Sequence, residues 1–297
     1  MAHRVRVGEL LLAVEGLALA RQLFGGDPSV VGRRIDAIRE TLRTIDVVTA
    51  DGDDDHDDAI ERFAVQLSEA GLADGYERWS TSYDAAEHPL LVVEGPILRS
   101  LIEDVAPGSA LDACTGTGRH AVLLQRLGHV VTAVDQSRYM LALAADKVPG
   151  AHLVHGDLVD RSALPPGVSF DLVVCALALT HFPTLAEPVA ELALRTRQGG
   201  RIVLTDMHPM AVLLSGQALF NDERDGQTRF VRNYVHQVSH YLDAFASAGL
   251  VVRRCVEHAL ARGEGPMANL AGQLRPEATE AAYLGMPYVL AWSLEKL

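Results

Sequence analysis

The sequence predicts an α/β fold whose parallel sheet is covered by helices on both faces, and three observations carry that prediction. From about residue 110 to 206, short apolar runs alternate with segments of helical period. One helix joins each run to the next, which is the crossover that parallel strands require. The region also opens on a strand, a glycine turn and a helix: Ala110–Leu111–Asp112–Ala113, then Cys114–Thr115–Gly116–Thr117–Gly118, then an amphipathic stretch from Ala121 through Leu127.

The elements follow in order. Val130–Val134 is a second strand ending at Asp135, and a helix with Met140 and Leu141 follows. His152–His155 is a third strand, leading into Gly156–Asp157–Leu158. Phe170–Cys175 is the fourth and runs on through Ala176–Leu179. A helix closes at Gly199–Gly200, before the fifth strand, Arg201–Thr205.

Upstream, residues 8–24 read as a helix with Leu10, Val14, Leu17 and Phe24 on one face. Leu11, Leu12 and Leu19 widen the stripe, so this helix is expected to be buried against the main domain or a second subunit, which suggests a homodimer. Gly25–Pro28 ends it, and Ser29–Ile45 continues as a second helix. The run Asp51 to Asp58 imitates a Ca²⁺ loop. Counted from Asp53, however, the sixth position is Asp58 rather than glycine and the twelfth is Ala64 rather than glutamate, so a solvated loop is expected. A helix over 57–72 follows. Tyr76, Trp79 and Tyr83 then recur on one helical face, either as a core stripe or as a lid over a ligand.

Downstream, an irregular stretch to about Gln227 precedes a strand over 228–237. A helix over Tyr241–Ala248 is expected with Ser239 as its cap. Val251–His258 and Met286–Leu294 read as the last two strands, with loop and short helix between them.

Composition narrows the function. The 297 residues are 48% hydrophobic with a formal net charge of −13, which disfavours a nucleic-acid partner. Cys114, Cys175 and Cys255 are too few and too scattered for a disulfide framework or zinc ribbon, and no metal is expected. The apolar stretch Leu10–Ala20, interrupted by Glu15, is too short to span a bilayer. A cytoplasmic protein without a membrane segment is the expectation.

The glycine turn suits two ligands. Gly116-x-Gly118-x-x-Ala121, with Asp135 about 20 residues on, matches the dinucleotide fingerprint and suggests an NAD-dependent dehydrogenase. S-adenosylmethionine also fits, because its cationic amino group would suit Asp112 at the strand end. The wider pattern separates them. Leu-Asp-Ala-Cys-Thr-Gly-Thr-Gly (111–118), Val-Asp-Gln-Ser-Arg-Tyr-Met-Leu (134–141), Gly-Asp-Leu (156–158), Phe-Asp-Leu-Val-Val-Cys (170–175) and Gly-Gly-Arg-Ile-Val-Leu-Thr-Asp (199–206) occur in order. Together they resemble the class I S-adenosylmethionine-dependent methyltransferases, in the small-molecule branch that includes the ubiquinone/menaquinone-type enzymes. The departure is Cys114, where the family pattern often has glycine.

The resemblance implies a Rossmann-like methyltransferase fold. Its mostly parallel seven-stranded sheet has helices on both faces, an antiparallel pair at one edge and an N-terminal helical extension. It divides the chain into a cap over 1–85 and a cofactor domain over 86–297, with 207–237 as a substrate-side insertion. It implies that Asp112, Gly116 and Gly118 surround the methionine end of S-adenosylmethionine. Asp135, with Gln136 beside it, meets the ribose. Met140, Asp157 and Leu158 hold the adenine, Ala176 starts the segment beyond the fourth strand, and Tyr83 comes from the lid. The implied reaction is methyl transfer to a small molecule, with a cofactor-binding cyclase or regulator as the alternative.

A protic acceptor needs a base, and histidine titrates near neutrality. His208 after the fifth strand, His181 after the fourth and His236 in the insertion are the candidates. The setting of His181 suits a structural role equally well. His236 and His240 lie four residues apart, but a cap between them argues against a shared metal.

Overall fold

The computed structural model describes residues 3–5, 7–50, 65–84, 88–160, 163–214, 216–268 and 270–297. Before the glycine turn come β1 (His3–Val5), α1 (Val7–Gln22), α2 (Pro28–Ala50), β2 (Val65–Ala70), α3 (Leu72–Trp79) and α4 (Pro89–Ile102). Strands and helices then alternate except between β5 and β6: β3 (Ser109–Ala113), α5 (Arg119–Arg126), β4 (Val130–Asp135), α6 (Arg138–Lys147), β5 (His152–His155), β6 (Phe170–Ala176), α7 (Ala186–Leu194) and β7 (Thr196–Met207). The chain continues through α8 (Pro209–Leu213), β8 (Ala218–Asn221), β9 (Thr228–Val231), α9 (Val238–Ser247) and β10 (Leu250–Ala259). It closes with α10 (Leu270–Leu274), α11 (Pro276–Tyr283) and β11 (Pro287–Lys296). No helix among the described residues is long and apolar enough to cross a membrane.

The chain divides into two compact units, one of residues 70–224, 230–258 and 287–297, the other of 1–69, 225–229 and 259–286. The first is built on a seven-stranded sheet of order β10-β11-β7-β6-β3-β4-β5. Adjacent strands from β7 through β6, β3 and β4 to β5 are parallel, and β11 runs antiparallel to β7 with β10 outside it. This is the expected mostly parallel sheet with its late antiparallel edge. Helices on both faces explain why β6 is apolar on both sides: Leu172, Val173, Val174 and Cys175 are all fully buried. Each such aliphatic side chain contributes about 1.5–3 kcal/mol of burial. From β3 the strand order runs outward one way to β4 and β5 and the other way to β6 and β7. Ligands of open α/β sheets bind at such a switch point, beyond the carboxyl ends of the strands.

In the second unit, Val14 and Ala18 of α1 pack on Ala271, Ala278 and Ala282. The apolar face of the first helix is thus buried within its own unit. Small residues on both sides let the helices approach closely. Glu15, on the same helix, is buried beside the Arg34 guanidinium at 3.1 Å. Arg34 also donates to the Gln22 amide oxygen and the Glu277 carbonyl. In this unit β1 pairs antiparallel with β2.

The structure departs from the sequence reading in several places. Phe24, expected on the buried face of the first helix, lies beyond its end and is almost fully exposed. The helix expected over 57–72 is a strand over Val65–Ala70, because pairing with β1 overrides local preference; residues 57–64 and the acidic run 51–58 lie outside the described residues. The strand expected over 228–237 stops at Val231. Gln237, not Ser239, caps α9: its side chain accepts the His240 N–H, and the His240 ring accepts the Gln237 N–H at 3.3 Å.

Candidate functional site

A cleft of about 700 Å³ opens beyond the carboxyl ends of β3, β4 and β6. Of the residues singled out from sequence, Tyr83, Gly116, Asp135, Gln136, Met140, Asp157, Leu158, Ala176 and His181 line it. Asp112, Gly118, His208 and His236 do not. Among the described lining residues there is no lysine or arginine, and Asp135 and Asp157 are the carboxylates.

The turn after β3 is built by unusual backbone. Cys114, Gly116 and Gly118 have φ of 56°, 55° and 80°. Gly116 lines the cleft, and a methyl group there would meet no protein atom within 4 Å. Gly118 faces the other way: a Cβ there would stand 3.0 Å from the Ala144 Cβ and 3.2 Å from the Val148 Cγ2. Its role is to let α6 pack on the turn. Cys114 occupies left-handed space without being glycine, a conformation that costs roughly 1–2 kcal/mol. That is the physical sense of glycine at this position in the family pattern.

Asp112 sits beneath the turn rather than in the cleft. It is almost fully buried and accepts from the Thr115 hydroxyl at 2.5 Å. Burial raises its pKa, with His120, Thr115 and Arg119 opposing. That hydrogen bond closes the turn from below. Deeper still, the fully buried Glu94 lies 2.7 Å from Arg119, 3.1 Å from His120, and accepts from Thr205. Burial pushes Glu94 up, but His120, Arg119 and Thr205 outweigh it and bring it to about 2.

The next wall comes from β4. One Asp135 oxygen accepts the Gly116 N–H and the other accepts the Ser137 N–H, each at 2.8 Å. The second bond is an Asx turn that swings the chain into α6, whose N-terminus Ser137 caps by accepting the Met140 N–H. Met140 is thereby fixed, buried, against the cleft. Burial raises the Asp135 pKa, while the two N–H groups oppose. Asp157 forms a similar turn, accepting the Val159 N–H, and Leu158 follows it into the wall.

The facing wall belongs to α3 and the turn after it. Tyr76 stacks on Trp79 with centroids 5.7 Å apart, and Tyr83 meets both rings. Trp79 is buried with Ala70, Phe220 and Val231, so the aromatic stripe is core on one side and cleft wall on the other. Burial raises the Tyr76 pKa well above normal and pushes Tyr83 up to about 12, so both are neutral phenols. Asp84 ties this segment to the glycine turn, accepting from the Thr117 hydroxyl at 2.8 Å and pairing with Lys147. On the outer side Arg78 bridges Asp74 and Asp222, and Thr81 donates to Glu223.

The three histidines separate clearly. His208 caps α8, its Nδ1 accepting the Met210 N–H while Nε2 lies 3.0 Å from Glu257. His236 donates Nε2–H to the Phe182 carbonyl at 2.8 Å. Both are used in holding loops and neither lines the cleft. His181 does line it, with Nε2 2.6 Å from the Tyr76 hydroxyl. The sequence reading placed Tyr76 in a lid without naming it as a ligand residue, and missed Cys114, Leu177 and Phe182 as lining residues. Leu177 has φ of 54°, strain of a kind that clusters at ligand sites and has no signal in sequence.

A family model described as a methyltransferase domain matches residues 111–204, from β3 into β7. The demethylmenaquinone methyltransferase of Deinococcus radiodurans is 35% identical over 115 residues, 37% of this chain and 48% of that protein. The malonyl-[acyl-carrier protein] O-methyltransferase of Buchnera aphidicola is 29% identical over 134 residues, 45% and 53% of the two chains. This chain therefore spans about half the length of these curated relatives. The N-methyltransferase NodS of Bradyrhizobium japonicum, solved with S-adenosyl-L-homocysteine, shares the fold with a TM-score of 0.54 at 12% identity, covering 75% of this chain and 97% of that one.

Proposed function

We propose that this chain transfers a methyl group from S-adenosylmethionine to a small-molecule acceptor. The observation that carries the reading is the Asp135 carboxylate seated on the glycine turn. A pyrophosphate at this turn would need the Gly116 N–H, which Asp135 already holds at 2.8 Å, and would meet that carboxylate at close range. Asp135 and Asp157 in the lining, with no lysine or arginine among the described lining residues, suit a cationic ligand and repel a dianionic one. Asp135 has spent two of about four acceptor positions on backbone N–H groups, which leaves two for ribose hydroxyls. Met140 and Leu158 supply apolar faces for a purine, and Asp157 an acceptor for its amine.

When bound, the cofactor supplies a sulfonium methyl group whose departure neutralises the sulfur. The chain's own contribution is to hold both partners in line and exclude water. The α3 segment, tied across the turn by Asp84, serves as the lid in this reading.

Calorimetry tests the proposal. S-adenosylhomocysteine should give binding heat with the wild type and none with Asp135→Ala, and NADH should give none with either. NADH heat in place of S-adenosylhomocysteine heat sinks the reading. The free cysteines fit a cytoplasmic site of action, which fractionation of the producing cells tests. The apolar helix face that suggests a homodimer in the sequence is buried within its own unit, so the support for a homodimer is the exposed Leu23 and Phe24 beyond that helix, and a monomer mass by light scattering removes it.

A further inference from the structure

The cleft holds a polar pair that the cofactor reading does not use. The His181 Nδ1 lies 2.9 Å from the Arg232 carbonyl oxygen, which can only accept, so Nδ1 carries the ring proton. Burial lowers the His181 pKa, favouring the neutral ring. Its Nε2 is therefore a bare acceptor, and the Tyr76 hydroxyl, 2.6 Å away, donates to it. Tyr76 cannot swing aside: its ring is stacked on Trp79 and flanked by Tyr83. Both members of the pair line the cleft, beside Leu72, Ala73, Ala178 and Phe182, which offer apolar surface. The hydroxyl oxygen keeps acceptor capacity for a proton arriving from the ligand side.

We propose that Tyr76 and His181 form the proton path for the methyl acceptor, and that the acceptor is a neutral phenolic or enolic O–H compound. The inference rests on the methyl-transfer reading above. During transfer the acceptor oxygen gains the methyl carbon, and the carbon–sulfur electron pair stays on sulfur. The acceptor O–H proton passes to the Tyr76 oxygen, and the Tyr76 proton passes to the His181 Nε2. One positive charge thus moves from sulfonium to imidazolium, and the cleft never gains or loses net charge, which a low-dielectric site would penalise. His181 later releases its proton to solvent.

The acceptor class follows from the same chemistry. A carboxylic acid is already ionised, needs no relay, and would be repelled by Asp135 and Asp157. An amine attacks through its lone pair and sheds its proton only afterwards. An aliphatic alcohol is too weak an acid for a histidine sink, and offers no flat face for the aromatic wall. A phenol or enol is neutral at rest, flat, and acidic enough to lose its proton as the new bond forms.

The test compares para-cresol with para-nitrophenol as acceptors of radiolabelled methyl from S-adenosylmethionine, in wild type, Tyr76→Phe and His181→Gln. Both variants should lose about a hundredfold or more on para-cresol near neutral pH, the scale of general-base catalysis. The defect should shrink steadily with rising pH and be small for para-nitrophenol, which ionises without help. An equal loss on both phenols at all pH values marks a structural role and overturns the proposal. So does binding of S-adenosylhomocysteine by the wild type with no transfer to either phenol. Absence of that binding defeats instead the cofactor reading on which the proposal stands. A further readout needs no acceptor: heteronuclear NMR of the histidine ring nitrogens should find His181 protonated on Nδ1 and bare on Nε2, with the bare nitrogen's shift moving in Tyr76→Phe. A ring protonated on Nε2 reverses the relay and overturns it.

Discussion

Gly116 and Gly118 stand two residues apart in one turn, and their alanine variants should fail in different ways. Gly118→Ala forces a left-handed φ of 80° on a residue with a Cβ and drives that atom to 3.0 Å from the Ala144 Cβ. The conformation costs roughly 1–2 kcal/mol and the overpacking about 1–3 kcal/mol, less the roughly 0.4–1 kcal/mol gained by restricting the unfolded chain. The net loss is about 2–4 kcal/mol, which for a domain of this size lowers the melting temperature by roughly 5–15 °C. Gly116→Ala carries the conformational cost alone, because its Cβ meets no protein atom within 4 Å. Its melting temperature should fall by only about 2–4 °C for a net cost near 1 kcal/mol. That methyl group enters ligand space, however, so the affinity for S-adenosylhomocysteine should drop at least about tenfold, or ~1.4 kcal/mol. Thermal melts without ligand and calorimetry on the folded variants separate the two. Equal melting temperatures would refute the packing argument, and full affinity in Gly116→Ala would refute the placement of the ligand.

Other outcomes follow from buried charge and from the tie across the turn. Burial pushes the Asp206 carboxyl from 3.8 to about 7, with the Tyr241 and Thr180 hydrogen bonds opposing. Between those values the folded state holds a proton that the unfolded state has lost, so stability should fall as pH rises through this window and level off above it. Asp206→Asn should flatten that part of a melting-temperature profile; an unchanged slope would show that another group sets it. Arg34→Leu leaves the buried Glu15 facing the more distant Arg275 guanidinium at 4.0 Å and should cost about 3 kcal/mol, the lower end for a broken buried pair, in a denaturant melt, whereas Glu15→Leu combined with Arg34→Leu should recover most of it. Asp84→Asn weakens a partly exposed pair with Lys147, worth no more than about 1 kcal/mol, so calorimetry should show S-adenosylhomocysteine bound at most about fivefold more weakly.

The sheet was legible because its signals are local. Apolar runs such as Phe170–Cys175, the paired glycines and the helices that join β3 to β4, β4 to β5 and β6 to β7 appear in the sequence as they stand in the structure, whereas the helix expected between β5 and β6 is not found among the described residues there. Asp135, Met140, Asp157 and Leu158 could be placed for the same reason: each follows a strand within a few residues, and strand ends converge on one crevice. Roles that depend on direction were not legible. Gly118 turns toward α6 and Asp112 toward Thr115, and no spacing distinguishes those from cleft-facing positions. The strand β2 replaced an expected helix because its partner β1 lies some sixty residues away in sequence. Of the three candidate histidines, His208 and His236 are occupied by loop hydrogen bonds, and His181 reaches the cleft. The sequence by itself determined the sheet, the turn and the residues at the strand ends, since a few neighbouring side chains decide those. Only the tertiary structure decided which way each of those side chains points and that Tyr76 meets His181, because contacts between distant segments exist only once the chain has folded.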